Sequence, residues 1–200
     1  MKVLFATTNP AKIRTYADKL RQKNIEVLTI NDLGINLKPE ETGKNALENA
    51  YIKAKTYYDA TKIITIGIDN NLFLEGLPED KQPGTYVRRV NGKELNDDEM
   101  IEHYTNLAKE YGGKITAKWV SGLVLYNGKD KKEYTWSKDH FYFVDKPSSK
   151  RNPGYPLDSI SIMPENNKYF VDLTAEEKRK NKNGYETDAI INFIVECLNR

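Results

Sequence analysis

Two hydrophobic periods succeed one another along this chain, and the changes between them mark its elements. Residues 2–6 form a short apolar run, Val3-Leu4-Phe5-Ala6 behind Lys2, which predicts a buried first strand. Thr7, Thr8 and Asn9 interrupt it, and from Pro10 onwards Ile13, Tyr16, Ala17 and Leu20 recur at helical spacing. Asn9 is placed to cap that helix and Pro10 to open it. Glu26 to Ile30 predicts a second strand, closed by the turn Asn31-Asp32-Leu33-Gly34. A polar connection leads to Asn45 and Glu48, a capping-box pair, and then to Leu47, Ala50, Tyr51, Ala54 and Tyr58 on one face of a helix of about four turns. Ile63 to Ile68 is the clearest strand, its β-branched character fitting a sheet position covered on both faces. Asp69 follows it directly; Asn70-Asn71 predicts a turn, and 72–77 a further extended segment.

The second half alternates less cleanly. Asn96 with Asp97 to Glu99 begins a helix through Ile101, Tyr104, Leu107 and Ala108, which Gly112-Gly113 stops. Ile115 to Tyr126 and Glu133 to Val144 predict strands joined at Asn127-Gly128, a strong hairpin signal. Ile160 to Met163 reads as a short strand and Thr174 to Glu177 as a turn or helix start. Glu186 to Leu198 reads as a terminal helix with Ala189, Ile190, Phe193, Ile194 and Cys197 as its buried stripe. The aromatics Tyr134, Trp136, Phe141 and Phe143 read as sheet packing.

Composition narrows the partners. The 200 residues suffice for one substantial core, or for two lobes sharing a sheet. With 31 basic and 29 acidic side chains the net charge is +2, too balanced to predict nucleic-acid binding. The one cysteine, Cys197, rules out an intrachain disulfide and fits a reducing, cytoplasmic setting. No run of eighteen apolar residues exists, so no membrane span is expected, and the first strand follows Met1-Lys2 without room for a signal peptide.

Candidate chemistry gathers in two places. Thr7 to Asn9 with Lys12 reads either as a capping turn or as an anion cradle at a strand-to-helix turn, without the glycines of a Walker loop. In the stretch 38–74, Glu40 and Glu41 precede a helix and Asp69 ends the following strand. Glutamates before a helix are commonly solvated or favourable dipole partners. Carboxylates at both ends of a helix–strand unit can also meet at one end of a sheet, where they suit a divalent metal and a phosphate. Of the adjacent Arg88 and Arg89, a regular strand would send only one towards a ligand. The basic run 178–182 reads as a solvated face or as cations closing over a triphosphate. His103 and His140 have no serine or cysteine close in sequence that would suggest a triad.

Taken in order, these pieces resemble the inosine/xanthosine triphosphate pyrophosphatases, the Ham1-like family that acts on noncanonical purine nucleoside triphosphates. Ala6-Thr7-Thr8-Asn9-Pro10-Ala11-Lys12 is similar to that family's first loop and helix. Glu40-Glu41-Thr42-Gly43 with Glu48-Asn49-Ala50 and Lys53-Ala54 resembles its acidic loop and second helix. Ile68-Asp69-Asn70-Asn71-Leu72 and Pro83-Gly84-Thr85-Tyr86 with Arg89 resemble the two motifs that follow. The resemblance implies one α/β domain over 1–200, an elongated mixed central sheet flanked by helices, with a second lobe contributed by about 78–150 over a nucleotide cleft. It implies hydrolysis of ITP, dITP or XTP to a monophosphate and pyrophosphate with Mg²⁺, by a cytoplasmic homodimer. It assigns the metal to Glu40 and Asp69, catalysis to Asp69 and Lys12, and substrate binding to Thr7, Thr8, Asn9, Lys12, Lys53, Arg89, Tyr155 and Asp158. The family's later Phe-Gly-Tyr-Asp-Pro motif is only partly matched, by Pro153-Gly154-Tyr155 and then Pro156-Leu157-Asp158, with Asp158 in the place of its aspartate after a small insertion. Three further departures stand out. Ile68 replaces the acid beside the catalytic aspartate, Asn70-Asn71 replaces Ser-Gly, and Gly184-Tyr185-Glu186 replaces a base-reading Ser-His-Arg. A changed base preference, towards a pyrimidine or modified nucleotide, and a non-catalytic nucleotide-binding role are the alternatives.

Overall fold

In a computed structural model the described residues are 1–180 and 183–199. Nine strands and six helices are assigned among them, with one π segment between the first two helices and three short 3-10 segments elsewhere. Seven strands form one sheet in the order β2-β1-β3-β6-β7-β8-β9, where β1 is Lys2–Phe5, β2 Glu26–Thr29, β3 Thr65–Leu74, β6 Lys114–Tyr126, β7 Lys131–Val144, β8 Ser161–Met163 and β9 Lys168–Tyr169. β1 runs parallel to both neighbours, with Phe5 opposite Thr29 on one side and Ile66 on the other. β7, β8 and β9 pair antiparallel, so the sheet is mixed, as expected. β4 (Arg89–Val90) and β5 (Lys93–Glu94) form a separate two-stranded ribbon.

The chain divides into two compact units. The first comprises 1–70, 121–136 and 183–199. Its core gathers Val3, Phe5, Val27, Ile66, Ile68, Leu123 and Leu125 from the strands. Onto these pack Tyr16, Ala17 and Leu20 of the first helical region and Ile190, Ile191, Ile194 and Leu198 of α6 (Asn183–Leu198). Helix α3 (Ala46–Thr61) packs through small residues, Ala50 and Ala54, beside Val124 and Tyr126. The approach is very close: a Cβ on Gly67 would lie 2.1 Å from the Ala50 carbonyl oxygen, so only glycine fits there. The second unit comprises 71–120 and 137–180, so the hairpin stretch 121–136 lies with the first unit. Its core is built from Leu72, Leu74, Ile115, Phe141 and Phe143 with Met100, Ile101, Tyr104 and Ala108 of α4 (Asp97–Glu110). α5 (Ala175–Lys180) follows β9.

Three expectations are corrected. Asn70-Asn71 is not a turn: β3 runs through it to Leu74, because Leu72 exchanges backbone hydrogen bonds with Gly84 at 2.9 and 3.0 Å and carries the strand onwards. Ladder bonds outweigh the turn preference of asparagine. The first helix is not regular. α1 (Pro10–Lys12) passes into a π-helical turn, Ile13–Ala17, before α2 (Asp18–Arg21). In α6 the buried stripe is Ile190, Ile191, Ile194 and Leu198, while Ala189 is exposed and Phe193 and Cys197 are half-buried. Residues 181 and 182 of the basic run, and the surroundings of Gly184 and Tyr185, lie outside what is described.

Candidate active site

The first unit brings four charged side chains together from a strand, two helices and a loop. Residue Asp69 sits on β3 and is only 7 % exposed. Its Oδ1 accepts from the Lys53 ammonium at 2.8 Å, while its Oδ2 is buried with no hydrogen-bond partner among the described residues. Lys53 projects from α3, two turns after the Asn45 cap, whose side chain accepts the Glu48 N–H at 2.9 Å. The same ammonium stands 3.2 Å from Glu41 Oε1. Period 2 on the strand and 3.6 on the helix explain the match: Gly67 and Asp69 share a face of β3, Ala50, Lys53 and Ala54 share a face of α3, and Gly67 sits against Ala50.

Lys12 completes the group. It is 9 % exposed, and its ammonium donates to the Ile68 carbonyl at 3.4 Å. That carbonyl is available because β1 ends first: Ala6 donates to Ile66, the last step of the parallel ladder seen here. Burial, reinforced by the nearby Lys53 charge, lowers the Lys12 pKa to about 8, against the opposing pull of Asp69 and Glu41. A buried lysine held short of full neutralisation is a cation poised for an anionic ligand.

The turn before Lys12 is built from its own side chains. Thr7 Oγ1 accepts the Asn9 N–H at 3.1 Å. The Asn9 side-chain oxygen takes the amides of Ala11 at 2.8 Å and Lys12 at 3.2 Å, so these two donors serve the cap. Thr8 is exposed.

The acidic loop places its two glutamates differently. Thr42 N–H donates to the Glu40 carbonyl at 3.0 Å, a three-residue turn centred on Glu41. Glu41 joins Lys53, whereas Glu40, the residue favoured from sequence, is exposed. Asn49, fully buried and one helical turn before Lys53, fastens the loop by accepting the Gly43 N–H at 2.8 Å. A Cβ on Gly43 would lie 2.6 Å from that Asn49 oxygen. The sequence offered Glu40 and Glu41 as a pair but the assignment went to Glu40, and Asn49 was given no role; the spacing of Asn49 and Lys53, four apart on the small-residue face of α3, was the available signal.

The other sequence-selected residues belong to the second unit. Arg89 lies in β4 opposite Glu94, and its neighbour Arg88 is taken by Asp97 at 2.8 Å and the Leu95 carbonyl at 2.9 Å. Tyr155 is half-buried and precedes the 3-10 turn Pro156–Ser159. Asp158 on that turn accepts from the Asn152 amide at 2.8 Å. Burial raises its pKa, opposed by the charges of Lys138 and Lys178 and by the Asn152 bond. Among the described residues, no three His, Cys, Asp or Glu side chains come together as a metal cage.

The sequence model of the Ham1 family matches residues 3–186. The chain belongs to the Ham1 family. Among curated Ham1 relatives, the dITP/XTP pyrophosphatase of Aquifex aeolicus is 32% identical over 193 residues, covering 90% of this chain and 89% of that protein. The dITP/XTP pyrophosphatase of Haemophilus influenzae is 30% identical over 183 residues, covering 90% and 91%. That of Thermoanaerobacter pseudethanolicus is 28% identical over 201 residues, covering 99% and 98%. The solved Ham1 protein of Staphylococcus aureus superposes with a TM-score of 0.75 at 22% identity, covering 98% of each chain. That of Coxiella burnetii gives 0.74 at 21% identity, covering 98% and 99%. In this Ham1 chain Ile68 is 2% exposed within the first core, and Asn70 and Asn71 each bury a side-chain oxygen with no hydrogen-bond partner among the described residues.

Proposed function

We propose that this chain hydrolyses noncanonical purine nucleoside triphosphates such as ITP, dITP and XTP, releasing nucleoside monophosphate and pyrophosphate. The observation that carries the reading is the convergence of Lys12, Glu41, Lys53 and Asp69 in the first unit of a Ham1 chain. Two cations beside two carboxylates suit a reaction that must bind a polyphosphate and position a water.

The residues fit a divalent cation such as Mg²⁺. Asp69 has a buried, unpartnered oxygen, and the acidic loop brings Glu41 to the same ammonium with Glu40 one residue before it. One or two carboxylates completed by substrate phosphates is how Mg²⁺ is commonly held, so the absence of a three-carboxylate cage is no obstacle. Asp69, with Glu40 and Glu41 as the loop carboxylates, would hold it. Bound there, it would offset charge developing on the phosphates. Lys12 and Lys53 hold the phosphate tail by charge, and the Thr7 to Asn9 turn keeps Lys12 in place. Asp69 orients the attacking water and accepts its proton. Arg89, Tyr155 and Asp158 are assigned to the substrate, Tyr155 packing on the base and Asp158 accepting from its edge. The protein is read as a cytoplasmic homodimer; among the described residues no helix is long and apolar enough to cross a membrane.

The test is a panel of nucleoside triphosphates with monophosphate and pyrophosphate both measured. Preferential turnover of dITP, ITP or XTP in equimolar products supports the reading. Equal or better turnover of a pyrimidine or modified nucleotide moves the substrate assignment to the alternative suggested by Ile68, Asn70-Asn71 and Gly184-Tyr185-Glu186. Nucleotide binding without hydrolysis in the presence of Mg²⁺ replaces it with a binding role.

A further inference from the structure

The bridge between Glu41 and Asp69 supports an inference that rests on the metal-assisted reading and asks a separate question of the same site. Lys53 Nζ is 2.8 Å from Asp69 Oδ1 and 3.2 Å from Glu41 Oε1, so one ammonium is shared by carboxylates from a strand and a loop. The three side chains are mostly sequestered, with exposures of 14% for Lys53, 22% for Glu41 and 10% for Asp69. Two sequestered carboxylates repel one another unless a cation lies between them. Here a lysine meets that need, in the arrangement a divalent cation would itself impose.

The position of the lysine is fixed by its helix. α3 is clamped to β3 at the Ala50–Gly67 contact, and the loop is tied to the helix by the Gly43–Asn49 hydrogen bond. A second observation points to a ligand: Asp69 Oδ2 is buried and unpartnered although its sister oxygen is engaged. A carboxylate held by one oxygen and left open at the other can accept a further cation.

We infer that Lys53 is a built-in counter-cation, which gathers Glu41 and Asp69 when no divalent cation is bound and competes with that cation for the same two carboxylates. When the divalent cation binds, Lys53 yields a carboxylate and its ammonium becomes available to the phosphates. Cation and nucleotide then reinforce each other's binding, since each takes over one partner of the other's site.

The experiment measures Mn²⁺ binding, by its magnetic resonance signal and without nucleotide, to the wild type, Lys53→Met and Lys53→Arg. Lys53→Met should bind Mn²⁺ about 10-fold or more tightly than the wild type, because a nearby cation no longer opposes a dication. Lys53→Arg keeps the charge and should stay within about 3-fold of the wild type. In thermal melts, added Mn²⁺ should stabilise Lys53→Met more than the wild type. Should Lys53→Met fail to fold, Lys53→Gln, which keeps donors to both carboxylates, makes the same comparison. Mn²⁺ binding to the uncharged variant that is no tighter than to the wild type, undetectable binding to both included, overturns the inference. The underlying reading fails on a different result: pyrophosphate release by the wild type that persists in excess chelator.

Discussion

Lys12 sets stability against function at the scale of a single residue. Its pKa, lowered to about 8 by burial, means that the folded state disfavours the charged form. Between about pH 8 and the unfolded value of 10.5 the unfolded chain binds more protons, so this residue's contribution to stability improves as pH rises through that window. The proposed phosphate binding needs the ammonium and moves the other way. The KM for a nucleoside triphosphate should therefore rise above about pH 8, measurable in steady-state kinetics across that range. Lys12→Met should lose this basic limb and most phosphate affinity. It should also unfold at higher denaturant at pH 7, a gain on the order of 1–3 kcal/mol from removing a buried charge. At the acidic loop, Glu40→Gln should raise the Mg²⁺ concentration needed for half-maximal rate; an unchanged requirement would take Glu40 out of the metal assignment. Lys12 was legible in the sequence as a site residue, but its burial was not, because burial depends on β1 ending before β3.

The α3–β3 unit is the element on which the site is built. Gly67 and Ala50 hold helix and strand so close that Gly67→Ala forces backbone apart, and it should cost about 2–4 kcal/mol in denaturant unfolding. The same variant should lower activity in its folded fraction, because Lys53 and Asp69 ride on the two displaced elements. Helix and strand were both legible from periodicity, cap and β-branched content. The run through Asn70-Asn71 was not, since it depends on a pairing with Gly84 fourteen residues beyond Asn70. The π turn after Lys12 escaped for another reason: five residues of changed winding leave the apolar positions Tyr16, Ala17 and Leu20 on the core side, so the pattern still reads as helix.

Across the whole molecule, the two units are each assembled from separated stretches of chain. Local patterns follow the chain and cannot say that 121–136 and the terminal helix join the first 70 residues. Ile194, fully buried where α6 meets the first core, tests that assembly. Ile194→Ala should cost about 2–5 kcal/mol and lower the melting temperature by about 2–4 °C for each kcal/mol. The second-unit residues Arg89, Tyr155 and Asp158 were selected through motif resemblance, which fixes order along the chain but not the contacts each side chain makes. Order was enough to single out Lys12, Lys53 and Asp69, which the fold brings together, and it favoured Glu40 where the fold turns Glu41 towards Lys53.

In the proposed reaction Asp69 directs water at a nucleoside triphosphate to release pyrophosphate. The most direct measurement compares wild type and Asp69→Asn with dITP and Mg²⁺, following monophosphate and pyrophosphate together and checking the fold by circular dichroism. Equimolar products are expected from the wild type, and a rate at least about 10²-fold lower in the folded variant. A folded Asp69→Asn protein that releases pyrophosphate at the wild-type rate would contradict that role.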